Sequence, residues 1–197
     1  MGAPSRHRGP GRGRDHVASG AVLVVRVDSL AGTHAVAAAV AGLARTGDII
    51  VLAGEMGAGK TAFAQGFGRA LGITGPITSP TFTLVHSYPY GHRCTLHHAD
   101  LYRLDSSADV EDLALDELAE FGGIVLVEWG DVAAATLGEH LEIRIEHDDA
   151  ADPVDADADE FGADGARLIE FTATGQRWAG RWERLANALA PYRVGDR

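Results

Sequence analysis

The segment Gly54-Glu-Met-Gly-Ala-Gly-Lys-Thr61 fits G-x-x-x-x-G-K-[ST], and no other stretch of this chain restricts its fold so tightly. It follows the continuous apolar run Ile49–Ala53, the pattern of a strand buried on both faces. It leads into Thr61–Leu71, where Phe63, Phe67, Ala70 and Leu71 recur at helical spacing. A glycine loop between a buried strand and a helix is a cradle for phosphate groups. Its glycines adopt conformations other residues avoid, so successive N–H groups turn inward around an anion. The helix that follows adds its positive N-terminal end. Lys60 is the only lysine among 17 basic residues, the rest being arginine, so this position specifically requires lysine. A compact cation suits the β- and γ-phosphates, and a planar guanidinium has the wrong shape. Thr61 then offers a hydroxyl to Mg²⁺.

A phosphate loop needs a second acid to hold the metal and order an attacking water. Glu128 ends the apolar strand-like run Gly123–Val127, as a Walker B acid does, and Asp100 ends the shorter run at Leu96-His-His-Ala-Asp100. Pro76–Tyr88 combines two prolines with Ser and Thr hydroxyls in a constrained loop, where a nucleotide switch donates a threonine to Mg²⁺ or the γ-phosphate. His97 and His98 are adjacent on an expected strand and so point to opposite faces, one toward the core and one toward solvent, which disfavours a shared metal ion.

Around these motifs, strand and helix patterns alternate. Ala21–Val27 reads as a strand, Ser29 stands where an N-cap belongs, and Thr33–Ala44 is alanine-rich helix. Helical text from Ala108 to Phe121 follows the strand that begins at Thr95. Leu141–Glu146 and Arg167–Thr174 alternate as half-exposed antiparallel strands do, and Trp178–Leu189 closes with a helix. The fold class expected is α/β: a P-loop NTPase-like three-layer sheet, mainly parallel in its core, with antiparallel C-terminal strands.

Residues 1–20 hold four arginines, five glycines and two prolines against one acid, a composition that predicts a disordered basic tail. Nine acids fall between Glu146 and Asp164 without a Lys or Arg, which predicts an extended acidic insertion at about 147–164 within a single domain of residues 21–190. Residues 191–197 are expected to form a C-terminal tail. A net charge of −11 argues against gripping nucleic acid over a broad basic face. The lone Cys94 excludes an internal disulfide framework, and the apolar runs are too short to span a bilayer. The N-terminal arginines are not followed by an apolar segment that could serve as a signal peptide, and a cytoplasmic location with no membrane partner is the expectation.

Four ordered motifs, "GEMGAGKT", "TSPTFTLV", "HADLYRLD…DVEDLALDE" and "LVEWGD", resemble the bacterial tRNA threonylcarbamoyladenosine biosynthesis ATPase family, TsaE (YjeE-like), from about Ser29 to Glu146. The resemblance implies a small α/β protein that binds ATP·Mg²⁺ and hydrolyses it weakly alone. It also implies TsaD-like and TsaB-like partners, with tRNA engaged indirectly through the complex that makes N6-threonylcarbamoyladenosine at position 37 of tRNAs reading ANN codons. By motif, Gly54, Gly57, Ala58, Gly59, Lys60, Thr61 and Ala62 bind the nucleotide, and Thr81 falls in the switch-like loop. Thr61 and Glu128 are the implied metal residues, and Glu128 and Asp100 the catalytic acids. Ala114 stands where the family usually has glycine, which leaves the turn there open.

Two other classes of function compete. A nucleotide-gated binding module would use its bound state more than turnover. A small P-loop kinase would carry a lid with several phosphate-clamping arginines, whereas only Arg69, Arg93 and Arg103 lie between the loop and Glu128, widely spaced.

Overall fold

A computed structural model describes residues 21–80, 84–102, 104, 107–129, 137–148 and 165–194. The N-terminal tail, residues 149–164 of the acidic stretch, Thr81 and residues 195–197 lie outside the described residues.

Seven strands form one sheet: β1 (Val22–Val27), β2 (Ile49–Ala53), β3 (Val85–Tyr90), β4 (Cys94–Asp100), β5 (Gly123–Glu128), β6 (His140–His147) and β7 (Arg167–Ala173). Their spatial order is β1-β7-β6-β2-β5-β4-β3. The centre is parallel, with β2 between β6 and β5, and β5 beside β4. Strand β7 runs antiparallel to both β6 and β1. The expected antiparallel C-terminal end is therefore present. A second antiparallel pair, β3 with β4, closes the opposite edge. That strand begins inside the stretch read as a proline-interrupted loop, and Pro89 is accommodated because β3 is an edge strand.

The buried runs divide by residue parity, as a pleated strand requires. Ile50, Leu52, Ile124 and Leu126 belong to one core, packed against helices α1 (Leu30–Ala41) and α2 (Lys60–Ala70). Ile49, Val51, Val125 and Val127 belong to the other, covered by α3 (Ser107–Glu111) and α4 (Leu115–Glu120). The three-layer arrangement follows directly. Ser29 caps α1 as its position suggests, its hydroxyl accepting from the Gly32 N–H at 3.2 Å.

Two helical expectations need correction. The segment Ala108–Phe121 is not one helix, because Ala114 adopts φ 48°, ψ 44° and breaks it into α3 and α4. The chain keeps a glycine-like turn there with an alanine, at a cost of about 1–2 kcal/mol. Likewise the closing segment is two helices, α5 (Gln176–Ala179) and α6 (Trp182–Ala188).

The interruption between α5 and α6 places Arg181 against Asp48, the residue before β2. Its guanidinium donates to both carboxylate oxygens, at 2.6 and 2.7 Å, and stacks on Trp178 at 4.2 Å. Both partners are buried. Removing one would leave an uncompensated charge in the interior. Arg181→Met is accordingly expected to lower unfolding free energy by about 3–5 kcal/mol, read as a fall in the urea midpoint with little change in slope. Beyond α6 the chain turns back, and Arg193 bridges to Val25 of β1. No helix among the described residues is long and apolar enough to cross a membrane.

Candidate nucleotide site

Parallel pairing aligns the ends of three strands. Asp100 is directly opposite Glu128 in the β4–β5 register, and Glu128 is opposite Leu52 of β2, just before the glycine loop. Ligands of open α/β sheets bind in the crevice outside these carboxyl ends. Here that crevice is a cleft of about 410 Å³ whose wall includes Gly57, Lys60, Thr61, Asp100 and Glu128.

The loop itself is shaped by backbone demands. Gly54 has φ 132°, and a Cβ there would lie 2.1 Å from the Ile145 carbonyl oxygen of β6. Its first role is thus close approach to the neighbouring strand. Gly57 and Gly59 have φ values of 80° and 114°, the left-handed conformations that let loop amides converge. Ala58 and Ala62 flank the turn: Ala58 is buried, and Ala62 lies in the first turn of α2 and lines the cleft.

Lys60 is buried. Its Nζ donates to the carbonyls of Gly54 and Glu55, each at 2.8 Å, and lies 3.8 Å from the ring centroid of Trp129. The Trp129 ring rests on Tyr102, centroids 4.9 Å apart, from a backbone held at φ 59°. A bulky residue at that angle is strained, and such strain concentrates at functional positions.

Thr61, Glu128 and His98 form one hydrogen-bonded chain, and Asp100 lies beside it across the β4–β5 ladder. The Thr61 hydroxyl donates to Oε2 of Glu128 at 3.2 Å, and Oε1 accepts from Nε2 of His98 at 2.9 Å. His98 is fully buried and its Nδ1 has no partner, so the tautomer with its proton on Nε2 leaves only a lone pair there. Asp100 accepts from the Tyr102 amide at 3.0 Å through Oδ1 and from the Ser79 hydroxyl through Oδ2. The structure therefore brings Gly57, Gly59, Lys60, Thr61, Ala62, Asp100 and Glu128 to one cleft, whereas Gly54 serves the loop from behind. Ser79 represents the Pro76–Tyr88 loop in the cleft.

Two contributors to the site, His98 and Arg167, escaped sequence reasoning. His98 faces inward as the alternation predicts, but only the register shows that it meets Glu128. His97, on the opposite face, bonds Ser87 at 2.9 Å, and burial lowers its pKa. Arg167 of β7 donates to the Ala58 carbonyl at 2.9 Å, and nothing in its surroundings in the sequence points to the loop.

Among the described residues no cluster of three His, Cys, Asp or Glu side chains could cage a metal. The donors present are hard oxygens, the Thr61 hydroxyl and the Glu128 and Asp100 carboxylates. They fit Mg²⁺, which binds through one or two carboxylates plus substrate phosphates and retains several waters.

A family profile described as Threonylcarbamoyl adenosine biosynthesis protein TsaE matches residues 27–175. The chain belongs to the TsaE family. The tRNA threonylcarbamoyladenosine biosynthesis protein TsaE of Bacillus subtilis is 38% identical over 155 residues, covering 78% of this chain and 87% of that protein. The Streptomyces coelicolor TsaE is 39% identical over 140 residues, 70% of this chain and 87% of that one. The crystal structure of Bacillus subtilis YdiB superposes with a TM-score of 0.61 at 33% identity, covering 87% of this chain and 96% of that chain. The P-loop α/β architecture expected from the glycine loop and its flanks is thus shared with a solved relative.

Proposed function

We propose that this chain is the ATP-binding and ATP-hydrolysing component of the machinery that makes N6-threonylcarbamoyladenosine on tRNA. Membership of the TsaE family supports the pathway. The observation that carries the chemistry is the convergence of Lys60, Thr61, Glu128 and Asp100 on one cleft, beside a loop whose glycines hold left-handed conformations. Loop amides and Lys60 bind the phosphates, Thr61 and Glu128 hold Mg²⁺, and Asp100 orients the attacking water. When bound there, Mg²⁺ would supply positive charge against the phosphate charge that develops during transfer. Glu128 is kept in one orientation by His98 and Thr61, so its carboxylate needs little rearrangement to act.

The acidic balance of the chain supports leaving tRNA contact to partners of the TsaD and TsaB types. Position 37 of tRNAs reading ANN codons is the target proposed, in the cytoplasm. No arginine lines the cleft among the described residues, which disfavours a small-molecule kinase.

Reconstitution tests this reading. With TsaD-like and TsaB-like proteins, a source of threonylcarbamoyl groups and unmodified tRNA, modified nucleoside measured by mass spectrometry should accumulate over many rounds only when this chain and ATP are both present. Equal accumulation without the chain would refute it.

A further inference from the structure

We infer that Arg167 is a positioning residue for the phosphate loop, anchoring the Ala58 carbonyl from behind so that the Gly59 amide is presented to the nucleotide's phosphates. This inference rests on the nucleotide reading of the cleft. Ala58 lies between two glycines that both hold positive φ, 80° and 114°. Glycine exchanges left- and right-handed conformations at little cost, so the peptide units here have no strong internal preference. An external restraint is needed, and the Arg167 Nε donates to the Ala58 oxygen at 2.9 Å.

The peptide joining Ala58 to Gly59 is trans, so its carbonyl and N–H point in opposite directions. Fixing the carbonyl on the sheet side fixes the Gly59 N–H on the cleft side. The anchor is itself rigid. Arg167 pairs with Val27 on one side and His147 on the other in the ladder, and its Nη1 also donates to the Gly165 and Ala166 carbonyls at 2.7 and 3.2 Å. The residue is buried, which lowers its pKa, yet a guanidinium keeps its charge. That charge adds positive potential behind a loop that receives an anion. Lysine would keep the charge but lacks the planar fork that serves these separate carbonyls.

The test is ATP and ADP affinity by calorimetry for Arg167→Met, Arg167→Gln and Arg167→Lys, with the folded fraction taken from circular dichroism and Lys60→Ala as control. Arg167→Met and Arg167→Gln should weaken both nucleotides by roughly 10-fold, the loss expected for a hydrogen bond to a charged group. Arg167→Lys should fall between them and the parent, and KM for ATP should rise more than kcat falls. Should Arg167→Met not fold, the glutamine and lysine variants carry the comparison. Affinities within two-fold of the parent, or a loss that vanishes once scaled by folded fraction, overturn the inference. If Lys60→Ala binds ATP like the parent, the nucleotide reading falls and this inference with it. If Lys60→Ala loses binding and the folded Arg167 variants do not, this inference alone fails.

Discussion

A Glu128→Gln protein is expected to bind ATP within a few-fold of the parent and to hydrolyse it roughly 100-fold more slowly or worse. Binding survives because loop amides and Lys60 supply most of the attraction. Turnover falls because the carboxylate acts on charge that develops only in the transition state. Glutamine keeps the shape of the side chain, so a collapse of the Thr61–Glu128–His98 chain is not the cause. Asp100→Asn should share this signature, since Asp100 lies opposite Glu128 across the ladder. Single-turnover hydrolysis beside equilibrium binding separates the two effects, and equal losses in both would show the acids to be structural. The same variant addresses the alternative of a nucleotide-gated module. Retained tRNA modification with abolished hydrolysis would mean that the bound state, not turnover, does the work.

Lys60→Ala is expected to remove nucleotide binding, by about 3 kcal/mol or more, which is over 100-fold in affinity. The amine is a buried point charge held by the Gly54 and Glu55 carbonyls and the Trp129 face, and among the described residues no arginine lines the cleft to replace it. Lys60→Arg should also impair binding, because a forked guanidinium has to enter a space bounded by two carbonyls at 2.8 Å and an aromatic ring at 3.8 Å. Calorimetric titration with ATP checks both variants. Parent-like affinity in Lys60→Ala would refute the assignment of the loop.

The loop, its strand and its helix were legible because local rules govern them: glycines for left-handed turns, continuous apolar text for a two-sided strand, helical spacing behind. Glu128 and Asp100 were legible as acids ending apolar runs. What joined them was not, since the β4–β5 register that sets them side by side is a long-range pairing. His98 illustrates the gap. Alternation turns one of two histidines inward, but only register shows which carboxylate it meets. Arg167 lay further out of reach, because a strand that reads as half-exposed text delivers a buried side chain to a loop more than a hundred residues earlier. Helix breaks at Ala114 and Arg181 were missed for different reasons. Alanine does not itself favour a left-handed turn, so the departure noted at Ala114 left the turn open, and the pull of Asp48 on Arg181 is tertiary. Thr81 and the acidic stretch from 149 to 164 fall outside the described residues.

The sheet order also governs how the chain comes to be folded as it is made. Strand β1 stands at one edge with β7 as its neighbour, Val27 pairing with Arg167, so the first strand synthesised waits for the last. At roughly 5–20 residues per second, the ribosome needs on the order of ten seconds to supply that partner. For this interval an apolar segment, Val22–Val27, has open backbone groups, the usual template for association between nascent chains. The central strand β2 is in a similar position, because both of its neighbours, β5 and β6, are translated after α2. Cooperative closure of this sheet therefore waits for β7, and slow non-local pairing rather than helix formation should set the folding rate.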